Sequence, residues 1–199
     1  MEIDAQSERG KTLAEQRQQL EPSAGLLGRA IRRDDGLDVG AALDLVTAGG
    51  KLVDLSDVDV ITNEELLTGP CDVLIPAALG EVIRDDNAEG VQARVVVEAA
   101  NHPVTPLADK ILGDRGVRVI PDILANGGGV TGSYFEWTQN IQQFTWKESR
   151  FNEELKDRLR RAFSATADMA DERQVSLRQA AFAIAIERVA EAAHLRGYA

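Results

Sequence analysis

Two asparagines stand just after short apolar runs in this chain. Asn101 closes Glu98-Ala99-Ala100-Asn101, and Asn126 closes Pro121-Asp122-Ile123-Leu124-Ala125-Asn126. A primary amide both donates and accepts, so such a side chain suits a carboxamide or a ribose hydroxyl. The same residue type also caps turns and helix starts, and spacing alone does not choose between the two roles. A third apolar run ends in Pro76-Ala77-Ala78. Gly127, Gly129 and Gly132 spell G-x-G-x-x-G, but six residues separate Ile120 from Gly127. The dinucleotide fingerprint needs a tight strand-to-helix turn, and then a further strand with an acidic residue about 20 positions on. Only helical pattern follows here, so the glycines are read as places where the backbone comes close to a ligand or another chain. His102 and His194 lack metal-ligand spacing, and Cys71 is the one cysteine. No Ser/His/Asp or Cys/His constellation can be assembled. These residues alone assign no catalytic group and no metal ligand.

The pattern predicts the elements that would position these residues. Val73-Leu74-Ile75, Arg94-Val95-Val96-Val97 and Val117-Arg118-Val119-Ile120 are short β-branched runs. Stretches long enough for helices separate them: Ala77 to Gly90, and Pro106 to Asp114 with Leu107, Ile111 and Leu112 on one face. Such alternation predicts parallel strands in βαβ units, with helices on both sheet faces. In open parallel sheets ligands bind outside the carboxyl ends of the strands, which is where Ala77, Ala78, Asn101 and Asn126 fall. Upstream, Val39, Leu43 and Val46 have helical spacing between Gly36 and Gly49-Gly50, and Thr62 with Glu65 has capping-box spacing. Thr145 and Glu148 have it too. Phe151, Leu155, Leu159 and Phe163 then step by four along one helix. A last helix, Arg178 to Leu195, carries Phe182, Ile186, Val189 and Ala193 as its expected buried face, and Gly197 is its expected stop. Asp34-Asp35 and Asp85-Asp86 read as solvated loop charges, and Tyr134-Phe135-Glu136-Trp137 as a helix packed on the sheet.

Residues 1–27 are expected to form a polar tail, disordered or loosely helical, because they offer little to bury. Residues 28–144 are expected to form a partial dinucleotide-binding domain and 145–199 a C-terminal helical segment. The fold class is α/β, a partial doubly wound parallel sheet followed by helices. Of 199 residues, 44% are hydrophobic and 28% charged, normal for a globular protein. No run of 18 apolar residues exists and the first residues lack an apolar leader, so neither a membrane span nor a signal peptide is expected. A lone cysteine favours a reducing, cytoplasmic setting. The 22 basic against 33 acidic residues give a net charge of −11. That argues against nucleic acid and anionic membranes as partners, since both demand basic surface.

Several separated motifs resemble glutamate dehydrogenases, in order. They are Cys71-Asp72-Val73-Leu74-Ile75-Pro76-Ala77-Ala78, Glu98-Ala99-Ala100-Asn101 with Thr105-Pro106, and Pro121-Asp122-Ile123-Leu124-Ala125-Asn126. Gly128-Gly129-Val130-Thr131, Ser133-Tyr134-Phe135-Glu136-Trp137 and Ile186-Glu187-Arg188-Val189-Ala190 complete the set. The resemblance runs from about Gly28 to the C-terminus. Within the wider glutamate, leucine, phenylalanine and valine dehydrogenase family, Val130 to Trp137 favours the glutamate branch. The resemblance implies oxidative deamination of L-glutamate to 2-oxoglutarate and ammonia with NAD or NADP, and the reverse amination. It implies that Ala77 and Ala78 line the cofactor crevice and that Asn101 and Asn126 lie near the nicotinamide and its ribose. It further implies that Val130 and Ser133 reach the substrate side-chain pocket, with the Ser133 hydroxyl as a donor to the distal carboxylate.

The departures set further expectations. The family's substrate domain, with its substrate-holding lysines and its lysine–aspartate acid/base pair, has no counterpart here. None of the five lysines stands in a comparable glycine-rich context. The fingerprint turn and the acidic residue that chooses NAD over NADP have no counterpart either. Ala99 stands where glycine is usual, and crowds the cofactor edge if that position needs positive φ. A truncated chain inactive alone is therefore expected, working as a homo-oligomer or with a complementing substrate-domain chain. The alternatives are a non-catalytic interaction module and a non-functional remnant of the enzyme.

Overall fold

The structure, a computed structural model, describes residues 29–32 and 38–198. The expected tail over 1–27, and Asp34, Asp35 and Gly36, lie outside the described residues. The chain divides into two units, the first ending at Leu66 and the second starting at Leu67.

In the first unit, β1 (Arg29–Arg32) pairs antiparallel with β2 (Asp59–Thr62), Arg29 opposite Thr62 and Arg32 opposite Asp59. Helix α1 (Val39–Thr47) begins where Asp38 accepts a hydrogen bond from the Ala41 amide at 3.0 Å. Its large apolar residues Val39, Leu43 and Val46 are exposed, while Ala42 is buried. Helix α2 (Asn63–Leu67) opens with the expected reciprocal cap. The Glu65 amide donates to Thr62 Oγ1 at 3.1 Å, and the Thr62 amide donates to Glu65 Oε2 at 2.8 Å.

The second unit is built on a parallel sheet of three strands, β3 (Val73–Leu74), β4 (Val95–Val97) and β5 (Arg118–Ile120), in that order. Val73 sits opposite Val95, and Val95 opposite Arg118. The expected doubly wound, partial sheet is therefore present. Val96 on the central strand is fully buried and belongs to a core with Leu74, Ile83, Ala88, Val91, Val104, Ala108 and Leu112. Helix α3 (Pro106–Asp114) has Thr105 as its cap and proline in its first turn, and it stops before Gly116 at φ +76°, a conformation glycine adopts without strain. Its covered stripe is Ala108, Ile111 and Leu112; Leu107 faces solvent, contrary to expectation. The pattern counts large apolar residues and so misses Ala108, whose small side chain sits in the close contact.

Ala77 to Gly90 is not the expected helix. Apart from a short 3-10 turn at Ala88–Gly90, it runs beside residues 101–105. The Glu81 and Ile83 amides donate to the carbonyls of His102 and Pro103 at 2.8 and 2.9 Å, and the Thr105 amide donates back to Ile83 at 3.0 Å. A β-carbon on Gly80 would lie 3.1 Å from the Asn101 carbonyl oxygen, so glycine permits the approach. Buried Asn87 then fixes the turn. Its side chain accepts from the Arg84 amide at 2.8 Å and donates to the Val82 carbonyl at 2.9 Å. A side chain that satisfies the backbone locally competes with helix.

After β5 come α4 (Asp122–Ala125), α5 (Gly127–Gln142), α6 (Glu148–Arg173) and α7 (Leu177–Leu195). Phe135 of α5 is buried against Phe151, edge-on at 5.5 Å, and against Trp146 at 5.3 Å. Gly132 makes room for Phe151, whose ring tip lies 3.2 Å from where a β-carbon would be. The expected Thr145–Glu148 cap does not form, since α6 starts after Lys147 with no side-chain cap. The Trp146 amide instead donates to Gln139 Oε1 at 2.6 Å, and Arg150 stacks over the Trp146 ring at 4.2 Å. Helix α7 does carry a capping box, Ser176 with Gln179. Its expected buried face is wrong: Phe182, Ile186 and Val189 are 46%, 65% and 70% exposed, and Ala180 and Ala181 are buried. Gly197, at φ +77°, ends it as expected.

The two leucines of α3 separate core from surface. Leu112→Ala is expected to lower stability by about 2–5 kcal/mol, the usual range for a fully buried leucine. Leu107→Ala is expected to change it by less than about 0.5 kcal/mol. Urea unfolding of both variants checks this, and equal losses would contradict the assigned face.

Candidate functional site

The three parallel strands end side by side, and the backbone after each is tied to the next. The Ala100 amide donates to the Pro76 carbonyl at 2.9 Å, and the Glu98 amide to the Ile120 carbonyl at 3.1 Å. These bonds set Ala77 and Ala78, both exposed, beside the segment that carries Asn101. Asn126, the residue after α4, reaches back to the same place. Its Nδ2 donates to Asn101 Oδ1 at 2.7 Å and to the Ala100 carbonyl at 3.3 Å. The Ala100 carbonyl can only accept, which fixes the orientation of the Asn126 amide, and that in turn fixes Asn101. The paired side chains leave Asn101 Nδ2 as a donor and Asn126 Oδ1 as an acceptor without a hydrogen bond among the described residues. A donor and an acceptor are the groups that another primary carboxamide can use. Ala99 is exposed and is not among the residues with positive φ, so this position carries no backbone strain.

Beneath this edge lies a charge network that the sequence pattern did not reveal. Glu98, at the carboxyl end of β4, is fully buried. Arg178 of α7 donates to both its oxygens, Nη2 to Oε1 at 2.7 Å and Nη1 to Oε2 at 2.9 Å. The Asp122 amide donates a third bond to Oε2 at 2.7 Å. The same guanidinium reaches Asp109 on α3, at 3.1 Å from Nε and 3.2 Å from Nη2, and lies 3.7 Å from Asp122 Oδ1. Burial works against the Arg178 charge, but the hydrogen bonds to Glu98 and Asp109 outweigh it and lift the guanidinium above its usual range. Asp122 also accepts from the His102 amide, at 2.7 Å, and holds that residue in the left-handed region at φ +49°. The His102 ring faces Glu81 at 3.7 Å, and it has no metal-binding neighbours; among the described residues no group of His, Cys, Asp and Glu could hold a metal ion.

The two residues expected on the substrate side lie one helical turn apart at the start of α5. Val130 is 73% exposed and lines an open groove of about 590 Å³ with Ile123, Leu124, Arg158 and Arg188. Ser133 is exposed, and its hydroxyl donates to the Gly129 carbonyl at 3.2 Å within the helix. Nothing lies within 4 Å of where β-carbons on Gly127 and Gly129 would be, so the opening turn of α5 presents bare backbone. The structure thus brings Asn101 and Asn126 into contact and leaves Val130 and Ser133 on the adjoining helix. Buried Glu98 lay inside a quoted motif. Arg178 could have been found only as a cation in the first turn of a helix, where the helix dipole disfavours it.

Comparison with known proteins supplies the wider frame. The sequence model of the Glutamate/Leucine/Phenylalanine/Valine dehydrogenase family matches residues 28–197. An NAD-specific glutamate dehydrogenase of Staphylococcus aureus is 44% identical over 170 residues, which cover 85% of this chain and 41% of that protein. A crystal structure of the hetero-hexameric glutamate dehydrogenase from Thermus thermophilus, in a Leu-bound form, superimposes with a TM-score of 0.76 at 36% identity. The match covers 82% of this chain and 38% of the Thermus chain. Glutamate dehydrogenase from Peptoniphilus asaccharolyticus matches at 42% identity and a TM-score of 0.60, over 63% of this chain and 32% of its own. The chain therefore spans about two-fifths of the length of the relatives it matches.

Two predictions follow from the geometry. Arg178→Met leaves the Glu98 carboxylate buried without its cation and is expected to cost about 3–5 kcal/mol. Adding Glu98→Leu is expected to recover most of that loss, which guanidinium unfolding of both variants and the double mutant measures as a coupling. Strict additivity would contradict it. Cys71 is exposed, yet partial desolvation and then the Asp72 charge push its thiol up. Its alkylation by iodoacetamide at neutral pH is therefore expected to be slower than that of a free cysteine peptide, and a faster rate would contradict the assigned surroundings.

Proposed function

We propose, on the premise that this chain belongs to the glutamate/leucine/phenylalanine/valine dehydrogenase family, that it supplies the nicotinamide side of the cofactor crevice and one wall of the substrate pocket of a glutamate dehydrogenase. The reaction is oxidative deamination of L-glutamate to 2-oxoglutarate and ammonia, and its reverse, with NAD or NADP. The observation that carries this reading is the Asn101–Asn126 amide pair, which joins the loop after β4 to the end of α4 beside the carboxyl ends of the parallel strands. Its free donor and acceptor match a nicotinamide carboxamide, and a ligand at this edge obeys the general rule for open parallel sheets. The bound nicotinamide exchanges hydride with the substrate; the residues of this chain hold and orient. Ala77 and Ala78 line the crevice without side chains that would obstruct a flat ring. Val130 and Ser133 face the substrate side chain, and Ser133 can turn its hydroxyl from Gly129 to a carboxylate. Arg158, Arg161 and Arg188 line the groove beside Val130. In a chain of net charge −11, they favour an anionic substrate there.

In this reading, residues 28–144 act as a partial dinucleotide-binding domain and 145–199 as a helical segment. The acid/base groups come from a complementing substrate domain. Exposed apolar residues support such a partner: Val130, Tyr134, Trp137 and Ile141 recur at helical spacing along α5, and Phe182, Ile186 and Val189 along α7. The same faces favour, as the second reading, a non-catalytic interaction module.

Glutamate-dependent reduction of NAD, and then of NADP, tests the proposal with the chain alone and mixed with a separately expressed substrate-domain half. Activity is expected only in the mixture. There Asn126→Ala is expected to raise the KM for the nucleotide about tenfold, and Ser133→Ala the KM for glutamate about ten- to a hundredfold, the loss of a neutral and a charged hydrogen bond respectively. A folded mixture without activity would leave the interaction module as the better account. Turnover by the chain alone would overturn the need for a partner.

A further inference from the structure

We infer that Arg178 is a positioning residue for the amide pair, acting through Glu98 and Asp122; the inference rests on the reading of Asn101 and Asn126 given above. Arg178 is the second residue of α7, at the end where the helix dipole opposes a cation, and no acidic residue stands in that first turn. A residue that works against its own helix is held by something else, and here that is three carboxylates from three elements.

The connection to the site can be followed bond by bond. Arg178 fixes both oxygens of Glu98, and Glu98 Oε2 accepts from the amide of Asp122, the first residue of α4. Asp122 then works in two directions. Its carbonyl accepts from the Asn126 amide at 3.0 Å, which sets where Asn126 leaves the helix. Its carboxylate accepts from the His102 amide at 2.7 Å, which sets the backbone just after Asn101. The two loops that must meet for Asn126 Nδ2 to reach Asn101 Oδ1 at 2.7 Å are thus referred to one buried carboxylate. His102 sits at positive φ without being glycine, a conformation that needs an outside hold. The hold must be planar and forked. A guanidinium spans Glu98 and Asp109 together, whereas a lysine ammonium is a single point of charge. Displacements well below a hydrogen-bond length would separate the free donor of Asn101 from the free acceptor of Asn126, and oriented binding tolerates little of that.

The test uses the full chain labelled with nitrogen-15, with nicotinamide mononucleotide as the probe. Side-chain amide signals of Asn101 and Asn126 report the pair directly, and titration reports its use. In Arg178→Lys, the chain is expected to keep a cooperative melt. The Asn126 amide protons are expected to lose their exchange protection, and affinity for the mononucleotide to fall about tenfold. Asp122→Ala removes the carboxylate that holds the His102 amide, while the backbone amide of residue 122 still donates to Glu98 and the Arg178–Glu98 bonds stay in place. With the backbone after Asn101 released, the same two changes are expected, and this variant carries the test of the Asp122 step if the lysine variant fails to fold. A clip that only stabilises the fold would lower the melting temperature of both variants while the asparagine signals of the folded state stayed where they are, and that result would overturn the inference. If the unsubstituted chain does not bind the mononucleotide, the reading of the amide pair as a nicotinamide site fails. The exchange protection of Asn126 in the two variants still decides whether Arg178 positions it.

Discussion

A carboxylate with no access to water must find its counter-charge inside the protein, and Glu98 at the end of the central strand imposes that demand on this fold. Three elements answer it. The last helix brings Arg178, the short helix α4 brings the Asp122 amide, and α3 adds Asp109 on the far side of the guanidinium. A buried ion pair is a poor source of stability, since desolvation offsets most of the attraction. Its worth lies in geometry: few arrangements satisfy three carboxylates around one planar cation. The network therefore selects one docking of α7 on the strand ends, and the residues that would meet a ligand inherit their places from it.

The second unit also shows two ways of burying helices. Helix α5 presents one large residue, Phe135, to an aromatic nest of Trp146 and Phe151. Helices α3 and α7 instead turn alanines inward, Ala108 in one and Ala180 and Ala181 in the other. Small residues allow close approach, and they free the larger ones, Leu107, Phe182, Ile186 and Val189, to face outward. Exposed apolar area on that scale is uncommon on an isolated monomer. It agrees with a chain matched to about two-fifths of its relatives' length.

Much of this was legible in the chain itself. Short continuous runs of β-branched residues, separated by longer stretches, marked the three parallel strands. The reciprocal pair Thr62 and Glu65 and the stop at Gly197 marked ends, because these are local chemistry: a side chain within reach of its own backbone, or a φ that glycine alone adopts freely. Where the same local logic failed, something distant had intervened. Thr145 and Glu148 have capping spacing, but Gln139 takes the turn through the Trp146 amide. Ala77 to Gly90 has the length of a crossover helix, but pairing with residues 101–105 and the Asn87 turn satisfy its backbone otherwise.

The sequence by itself determined the family, the class of fold, and the strand ends at which Ala77, Ala78, Asn101 and Asn126 fall, because periodicity and motif order are written in near neighbours. Only the tertiary structure decided that Asn101 and Asn126 pair with each other, 25 positions apart. It alone decided that Arg178 meets Glu98 across 80, and which face of each C-terminal helix is covered. Those outcomes depend on shape and burial at long range. A buried charge, unlike a helical repeat, has no spacing that announces its partner.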